Sequence, residues 1–295
     1  MLHGKDESMN QSRVVVGVDG SPLSEAAVVQ AAHFASTRGM TLHVLHAFAP
    51  DLPMLGFGAL ADRSVVTDHG RRLLDVAVAR AHAAHPDLTV TSALHDGYAS
   101  TSLVASSQTA ALVVVGVAGH GVLSRAGLGA VAMQVLTHAR CPVLVVGHTS
   151  AASTPVSGGR VVVGFDGSDS SVGALRTAVR EADVLSGTVD AVHAWQARAA
   201  TDPTLADASS WEDYVAGVEQ MVEREAAAPG PEHPDAKVEV HVVRDDPVHA
   251  LAASSEGASL LVVGARGRGG FEGLRVGSSA LRVVSRSACP VLVSR

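Results

Sequence analysis

Arg13 to Ser21 reads RVVVGVDGS, and Arg160 to Ser168 reads RVVVGFDGS, so one nine-residue stretch recurs 147 residues later with a single difference. Two further blocks repeat in the same order. LVVVG ending at Gly116 returns as LLVVG ending at Gly264, and CPVLVV from Cys141 returns as CPVLVS from Cys289, both 148 residues on. Three blocks in one order at nearly one spacing mark an internal duplication. The chain is therefore expected to be two copies of one domain, residues 13–147 and 160–295. A polar tail, 1–12, precedes them, and a Ser/Thr/Gly/Pro-rich linker, 148–159, joins them.

Within a copy, short β-branched runs alternate with Ala-rich stretches of helical character. Val14–Val18 is a continuous apolar run suited to a strand buried on both faces. Asp19-Gly20-Ser21 is turn chemistry; Ser21 before Pro22 reads as an N-cap with Pro in the first helical position, and Gly39 reads as the cap ending that helix near Arg38. The pattern continues with strands at Thr41–Ala47, Thr89–His95, Leu112–Gly116 and Pro142–Val146. The helices between them are expected at Asp68–His85, Ser100–Thr109 and Val131–His138. Strict alternation of this kind predicts an α/β fold with a right-handed, doubly wound parallel sheet of five strands in each copy. Ligands of such sheets bind at the carboxyl ends of the strands, where the winding reverses.

Composition narrows the function classes. The 295 residues carry 22 basic and 29 acidic side chains, a net charge of −7, so bulk charge favours neither a nucleic acid nor an anionic membrane. Only Lys5 and Lys237 are lysines. Two cysteines exclude a disulfide scaffold or a Cys-based zinc cluster. No apolar run approaches the roughly 20 residues that span a bilayer, and MLHGKDESMNQS has no signal-peptide core, so the cytoplasm is the expected compartment.

The residues after the fourth strand carry the chemistry. In copy two they run from Gly264 through Arg266, Gly267 and Arg268 to Gly277, Ser278 and Ser279, between a strand and a helix. Glycines let backbone amides approach an anion, a helix start adds further amides, and Arg266 and Arg268 add charge. Ser278 and Ser279 stand where hydroxyls would either cap the helix or reach a phosphate. A surface loop with glycines at turns is the plainer alternative. The loop is not a Walker A sequence, lacking Gly-Lys-Ser/Thr, nor the dinucleotide fingerprint that follows a first strand.

Gly264-x2-Gly267-x9-Gly277-Ser278 resembles the G-2x-G-9x-G-(S/T) signature of ATP-binding universal stress proteins, and the VVVGVDGS, VVVGFDGS and CPVLVV stretches are similar to that family too. The resemblance covers nearly the whole chain twice. It implies a Rossmann-like, adenine-nucleotide-alpha-hydrolase-like domain in tandem, with ATP and Mg²⁺ as ligands. Asp166, following Gly164 at the end of the first strand, would lie beside adenine and ribose, as would Asp19, following Gly17. A turn-forming Asp bonded to its own backbone is the alternative for both. Ala194 after His193, and Ala47 after His46, would line the adenine pocket. Val263 and Gly264 would flank the ribose, as would Val115 and Gly116. Gly267, Gly277, Ser278 and Ser279 would hold phosphates, with Gly119, Gly129, Ala130 and Val131 as their copy-one counterparts. The resemblance further implies pairing of the two copies through their fifth strands, Val143–Val146 and Val291–Val293, with possible association of two chains.

Copy one departs from the signature: Ala130 replaces the Ser or Thr, and Ala118 and His120 replace the two arginines. A hydrogen bond to a charged group contributes about 1.5–3 kcal/mol, so unequal sites are expected, copy two being the stronger. The implied role is a nucleotide-dependent regulator in stress response or growth arrest. A slow ATP-cleaving enzyme and a nucleotide-free interaction scaffold are the alternatives, and no catalytic set of side chains suggests itself. The 15 histidines are scattered; His82 and His85 fall on a predicted helix without a third ligand. The Arg266–Gly270 stretch, RGRGG, is better explained by phosphate than by RNA. Asp245-Asp246 reads as a strand-to-helix turn, and Cys141 and Cys289 as packing residues. Glu212–Glu225 reads as an amphipathic helix within the Ala197–Pro234 insertion, and Pro50–Leu60 occupies the equivalent place in copy one.

Overall fold

A computed structural model describes residues 12–48, 63–119, 127–149, 158–195, 211–227, 237–268 and 275–295. The expected tail up to residue 11, Pro50–Leu60, His120, Gly269 and Gly270 lie outside the described residues, as does most of the linker and of Ala197–Pro234. The chain divides into two compact units, 1–154 and 155–295.

The first unit runs β1 (Arg13–Gly17), α1 (Pro22–Thr37), β2 (Thr41–Phe48), α2 (Arg63–Ala84), β3 (Val90–Asp96), α3 (Ala99–Ser106), β4 (Leu112–Gly116), α4 (Ala130–His138) and β5 (Val143–Val146). The second runs β6 (Arg160–Gly164), α5 (Asp169–Leu185), β7 (Thr188–Ala194), α6 (Trp211–Ala227), β8 (Val238–Val243), α7 (Pro247–Ser254), β9 (Leu260–Gly264), α8 (Ser278–Val284) and β10 (Val291–Ser294). Strand order is β3-β2-β1-β4-β5 in the first unit and β8-β7-β6-β9-β10 in the second. All of the pairings within the units are parallel. This is the α/β, doubly wound sheet expected from the sequence. Its winding reverses between β1 and β4, and again between β6 and β9.

The central strands are buried because helices cover both faces. Val14–Val16 and Val161–Val163 are fully inaccessible, which is why these runs are continuously apolar rather than alternating. Covering helices pack on them through small residues at four-residue spacing, Ala27, Ala31 and Ala35 on α1 and Ala174, Ala178 and Ala182 on α5. Ser21 and Ser168 cap these helices, each accepting from the backbone N–H three residues on at 3.2 Å. Asp246 caps α7 likewise, accepting from Val248 and His249, so the Asp245-Asp246 pair is a helix start.

Both cysteines are buried. Burial pushes the Cys289 thiol up to about 11, although Ser287 Oγ lies beside its sulfur at 3.6 Å.

The duplication exposes one unequal position. Gly39, after α1, has φ of 61°, and its counterpart Ser186, after α5, has φ of 51°. A side chain is strained in this left-handed region and glycine is not. Ser186→Gly is expected to raise the urea-unfolding free energy by about 1 kcal/mol, and Gly39→Ser to lower it by a similar amount.

Candidate functional site

The carboxyl ends of β6 and β9 are kept open by glycine. A Cβ on Gly264 would lie 2.7 Å from the Ser170 carbonyl oxygen of α5, and one on Gly164 would lie 3.0 Å from Leu251 of α7. The helices therefore pass close to bare backbone, and a cleft of about 380 Å³ opens above it, within the size range of small-molecule sites. Every copy-two residue singled out in the sequence lines this cleft: Gly164, Asp166, Ala194, Val263, Gly264, Arg266, Gly267, Arg268, Gly277, Ser278 and Ser279. Phe165, Val192, Pro247 and Leu251 add to its apolar lining. Sequence reading assigned none of these four to the site: Phe165 sits unremarked inside the RVVVGFDGS stretch, and Val192, Pro247 and Leu251 are brought in by the sheet and by α7 rather than by a motif.

Asp166 stitches the site together. Its Oδ1 accepts from the Ser168 N–H at 3.0 Å and the Ser168 hydroxyl at 2.6 Å, while Oδ2 accepts from the Arg268 N–H at 2.9 Å. The turn-forming role and the site role are thus combined in one carboxylate. Glycine at 267 follows from this contact, since an added Cβ would stand 2.6 Å from Asp166 Oδ2. Burial alone would raise the Asp166 pKa. The hydrogen bonds from Ser168, Arg268 and Ser171 outweigh it and hold the carboxyl below its ordinary value of 3.8.

The helix that closes the cleft begins bare. Gly277 is the N-cap of α8 and makes no side-chain cap hydrogen bond, so Ser278 and Ser279 are its first two helical residues and do not cap it. Both are exposed at the cleft, as are Arg266 and Arg268. Unlike Gly267, Gly277 has room around it, for an added Cβ would meet nothing nearer than 3.8 Å.

Behind the cleft, His193 Nδ1 donates to the Phe165 carbonyl at 2.8 Å and Nε2 lies 2.6 Å from the Tyr214 hydroxyl. A carbonyl only accepts, so Nδ1 carries the proton. In the neutral ring Nε2 then accepts from Tyr214. Tyr214 sits on α6, the expected amphipathic helix, in a cluster with Trp195 and Trp211; the Arg244 guanidinium lies 4.1 Å from the Trp211 ring. The partnership spans 21 residues, beyond the reach of any local pattern.

The first unit has the corresponding cleft, of about 650 Å³. Gly17, Asp19, Val115, Gly116, Gly119, Gly129, Ala130 and Val131 line it; Ala47 does not. Ala47 precedes Phe48, and β2 continues through it instead of ending there. Asp19 Oδ1 accepts from the Ser21 N–H at 2.9 Å, and Gly119 is again so close to the Asp19 carboxylate that a Cβ would clash. His46 Nδ1 donates to the Val18 carbonyl at 2.7 Å, matching His193. Elsewhere, Asp190, Glu239 and His241 lie close enough to share a cation, a cluster their sequence spacing does not reveal. Arg160 already lies 2.7 Å from the Asp190 carboxylate. Among the described residues no helix is long and apolar enough to cross a membrane.

Fold and cleft together place each unit among Rossmann-like α/β domains whose site lies at a switch point of the sheet. The profile of the Universal stress protein family matches this chain twice, over residues 11–147 and 159–295. Universal stress protein Rv2623 of Mycobacterium tuberculosis is 34% identical over 292 residues, covering 96% of both chains. Universal stress protein Rv1996 of the same organism is 32% identical over 300 residues, covering 96% of this chain and 94% of its own length. A crystal structure of a universal stress protein from Archaeoglobus fulgidus shares the fold with a TM-score of 0.71 at 20% identity, over 97% of this chain and 98% of that one. The chain belongs to the universal stress protein family and carries the family domain twice.

Two outcomes follow from the Asp166 and His193 geometry. A carboxylate whose folded pKa lies below 3.8 contributes stability that is fully present above that value and is lost as pH falls through the folded pKa. Asp166→Asn should therefore unfold more easily than the parent chain at pH 7, with the gap closing on acidification below pH 3.8; chemical denaturation across pH 2.5–7 measures it. Tyr214→Phe removes the hydroxyl donor from buried His193 and should lower the unfolding free energy by about 1–3 kcal/mol.

Proposed function

We propose that this protein is an ATP-binding regulator whose second unit holds the stronger site. The observation that carries this reading is the second cleft. Its lining joins apolar side chains, Val192, Pro247 and Leu251, to Gly277, the hydroxyls of Ser278 and Ser279, and the guanidinium groups of Arg266 and Arg268. A flat heteroaromatic base and a polyphosphate are the two halves of a ligand that such a cleft matches. Adenine would lie at the apolar end beside Ala194, with the ribose between Asp166 and the Val263-Gly264 backbone.

The phosphates would take the amides at the start of α8, the hydroxyls of Ser278 and Ser279, and the two guanidinium groups. The room around Gly277 fits this role, because a phosphate oxygen can approach its backbone directly. Among the described lining residues Asp166 is the one carboxylate, and both of its oxygens already accept hydrogen bonds. Mg²⁺ would accordingly arrive on the phosphates rather than on a protein ligand. Among the described lining residues there is no Ser/His/Asp or Cys/His set, which favours occupancy over turnover as the signal. Binding would act by drawing the loop around Arg266–Arg268 and the start of α8 onto one ligand.

Purifying the full chain without added nucleotide, denaturing it and chromatographing the supernatant tests the reading. An adenine nucleotide near one equivalent per chain is expected. Gly277→Ala, whose Cβ fits the fold, should weaken Mg-ATP binding in calorimetry by about ten- to a hundredfold, the loss of one hydrogen bond to a charged group. No released nucleotide, together with no heat on adding Mg-ATP, would overturn it.

A further inference from the structure

The cleft of the first unit keeps one end of its counterpart and replaces the other. Gly17, Asp19 and Leu103 stand where the second cleft has Gly164, Asp166 and Leu251. At the helix end the chemistry is different. Ala130 and Val131 occupy the places of Ser278 and Ser279, and Ala118, which is 5% exposed, occupies the place of the exposed Arg266. Val131 is 40% exposed and Met133 37%, so the mouth of this cleft is apolar.

Backbone geometry changes with the side chains. A Cβ on Gly129 would lie 3.2 Å from Ala118 Cα and 3.3 Å from the Val117 carbonyl oxygen, where the equivalent Cβ on Gly277 would be clear to 3.8 Å. The backbone at Val117 and Ala118 thus stands closer to the start of α4 than its counterpart does to the start of α8. The cleft as a whole is nevertheless larger, about 650 Å³ against 380 Å³. Among its described lining residues Asp19 is the one charged group. Among these described residues a polyphosphate would face one carboxylate and apolar side chains and no cation, and burying an unpaired charge is strongly unfavourable.

We infer that the first cleft binds a neutral purine nucleoside, with base and ribose at the retained end, a ribose hydroxyl donating to Asp19, and the apolar mouth in place of a phosphate site. The two units of one chain would then read different ligands, a triphosphate and its phosphate-free relative. This inference rests on the adenine-nucleotide reading of the second cleft.

The test uses the full chain carrying Gly277→Ala, which weakens phosphate binding at the second cleft, with adenosine and Mg-ATP as probes in equilibrium dialysis. The chain's two tryptophans, Trp195 and Trp211, both belong to the second unit, with Trp195 directly after the cleft residue Ala194, so their emission reports that cleft. The expected result is about one adenosine per chain, bound at least tenfold more tightly than Mg-ATP, without a change in tryptophan emission. Adding Ala130→Ser and Val131→Ser, both at exposed positions of the helix start, should cut the preference for adenosine over Mg-ATP by tenfold or more. Mg-ATP binding as tight as adenosine, no adenosine binding, or adenosine binding that alters tryptophan emission would each overturn the inference. Mg-ATP failing to change tryptophan emission in the parent chain bears on the second cleft alone; adenosine retained by the Gly277→Ala chain with unchanged tryptophan emission bears on the first alone.

Discussion

The closeness of helix to sheet governs this structure. Each central pair of strands ends in glycine, and α1 and α5 cross the strands on alanines at four-residue intervals. Larger side chains at either surface would lift the helices away, and the burial that makes Val14–Val16 and Val161–Val163 a core would be lost. The cleft follows from the same constraint. Where strands end in bare backbone at a reversal of winding, two crossover helices diverge and leave a space whose floor is peptide rather than side chain.

One carboxylate per unit converts that space into a built site. Asp166 caps its own turn with one oxygen and holds the Arg268 backbone with the other, so the segments after the first and fourth strands are tied to each other. Hydrogen bonding, rather than a neighbouring cation, keeps the group ionised against its burial. The neighbouring His193 fixes the carbonyl just before it, and Tyr214 fixes the histidine. In the second unit the aromatic cluster on α6 therefore supports the floor of the cleft from behind.

Much of this was legible in the chain itself. Duplication, strand-helix alternation and the Ser21 cap are written in local pattern. The glycine loop was legible too, because its residues are contiguous. What the sequence concealed is what the fold brings from a distance. Pro247 and Leu251 reach the cleft from α7, and Tyr214 meets His193 across an insertion that carries no motif. Ala47 was placed by analogy with Ala194, yet β2 runs one residue beyond it, so the two strand ends are not equivalent. The choice between capping and open hydroxyls at Ser278 and Ser279 turned on a backbone detail, the N-cap falling on Gly277. The closer approach of Val117 and Ala118 to Gly129 is likewise a backbone detail that no residue type announces.

The buried thiols carry a consequence of their own. With its pKa pushed up to about 11, Cys289 is ionised in about one molecule in ten thousand at neutral pH, and the thiolate is the form that attacks peroxides. Cys141 is enclosed in the same way. Within a family named for stress, neither cysteine of this chain is a ready reporter of oxidants; among the described residues the exposed sulfur side chain is the thioether of Met133, at the edge of the first cleft.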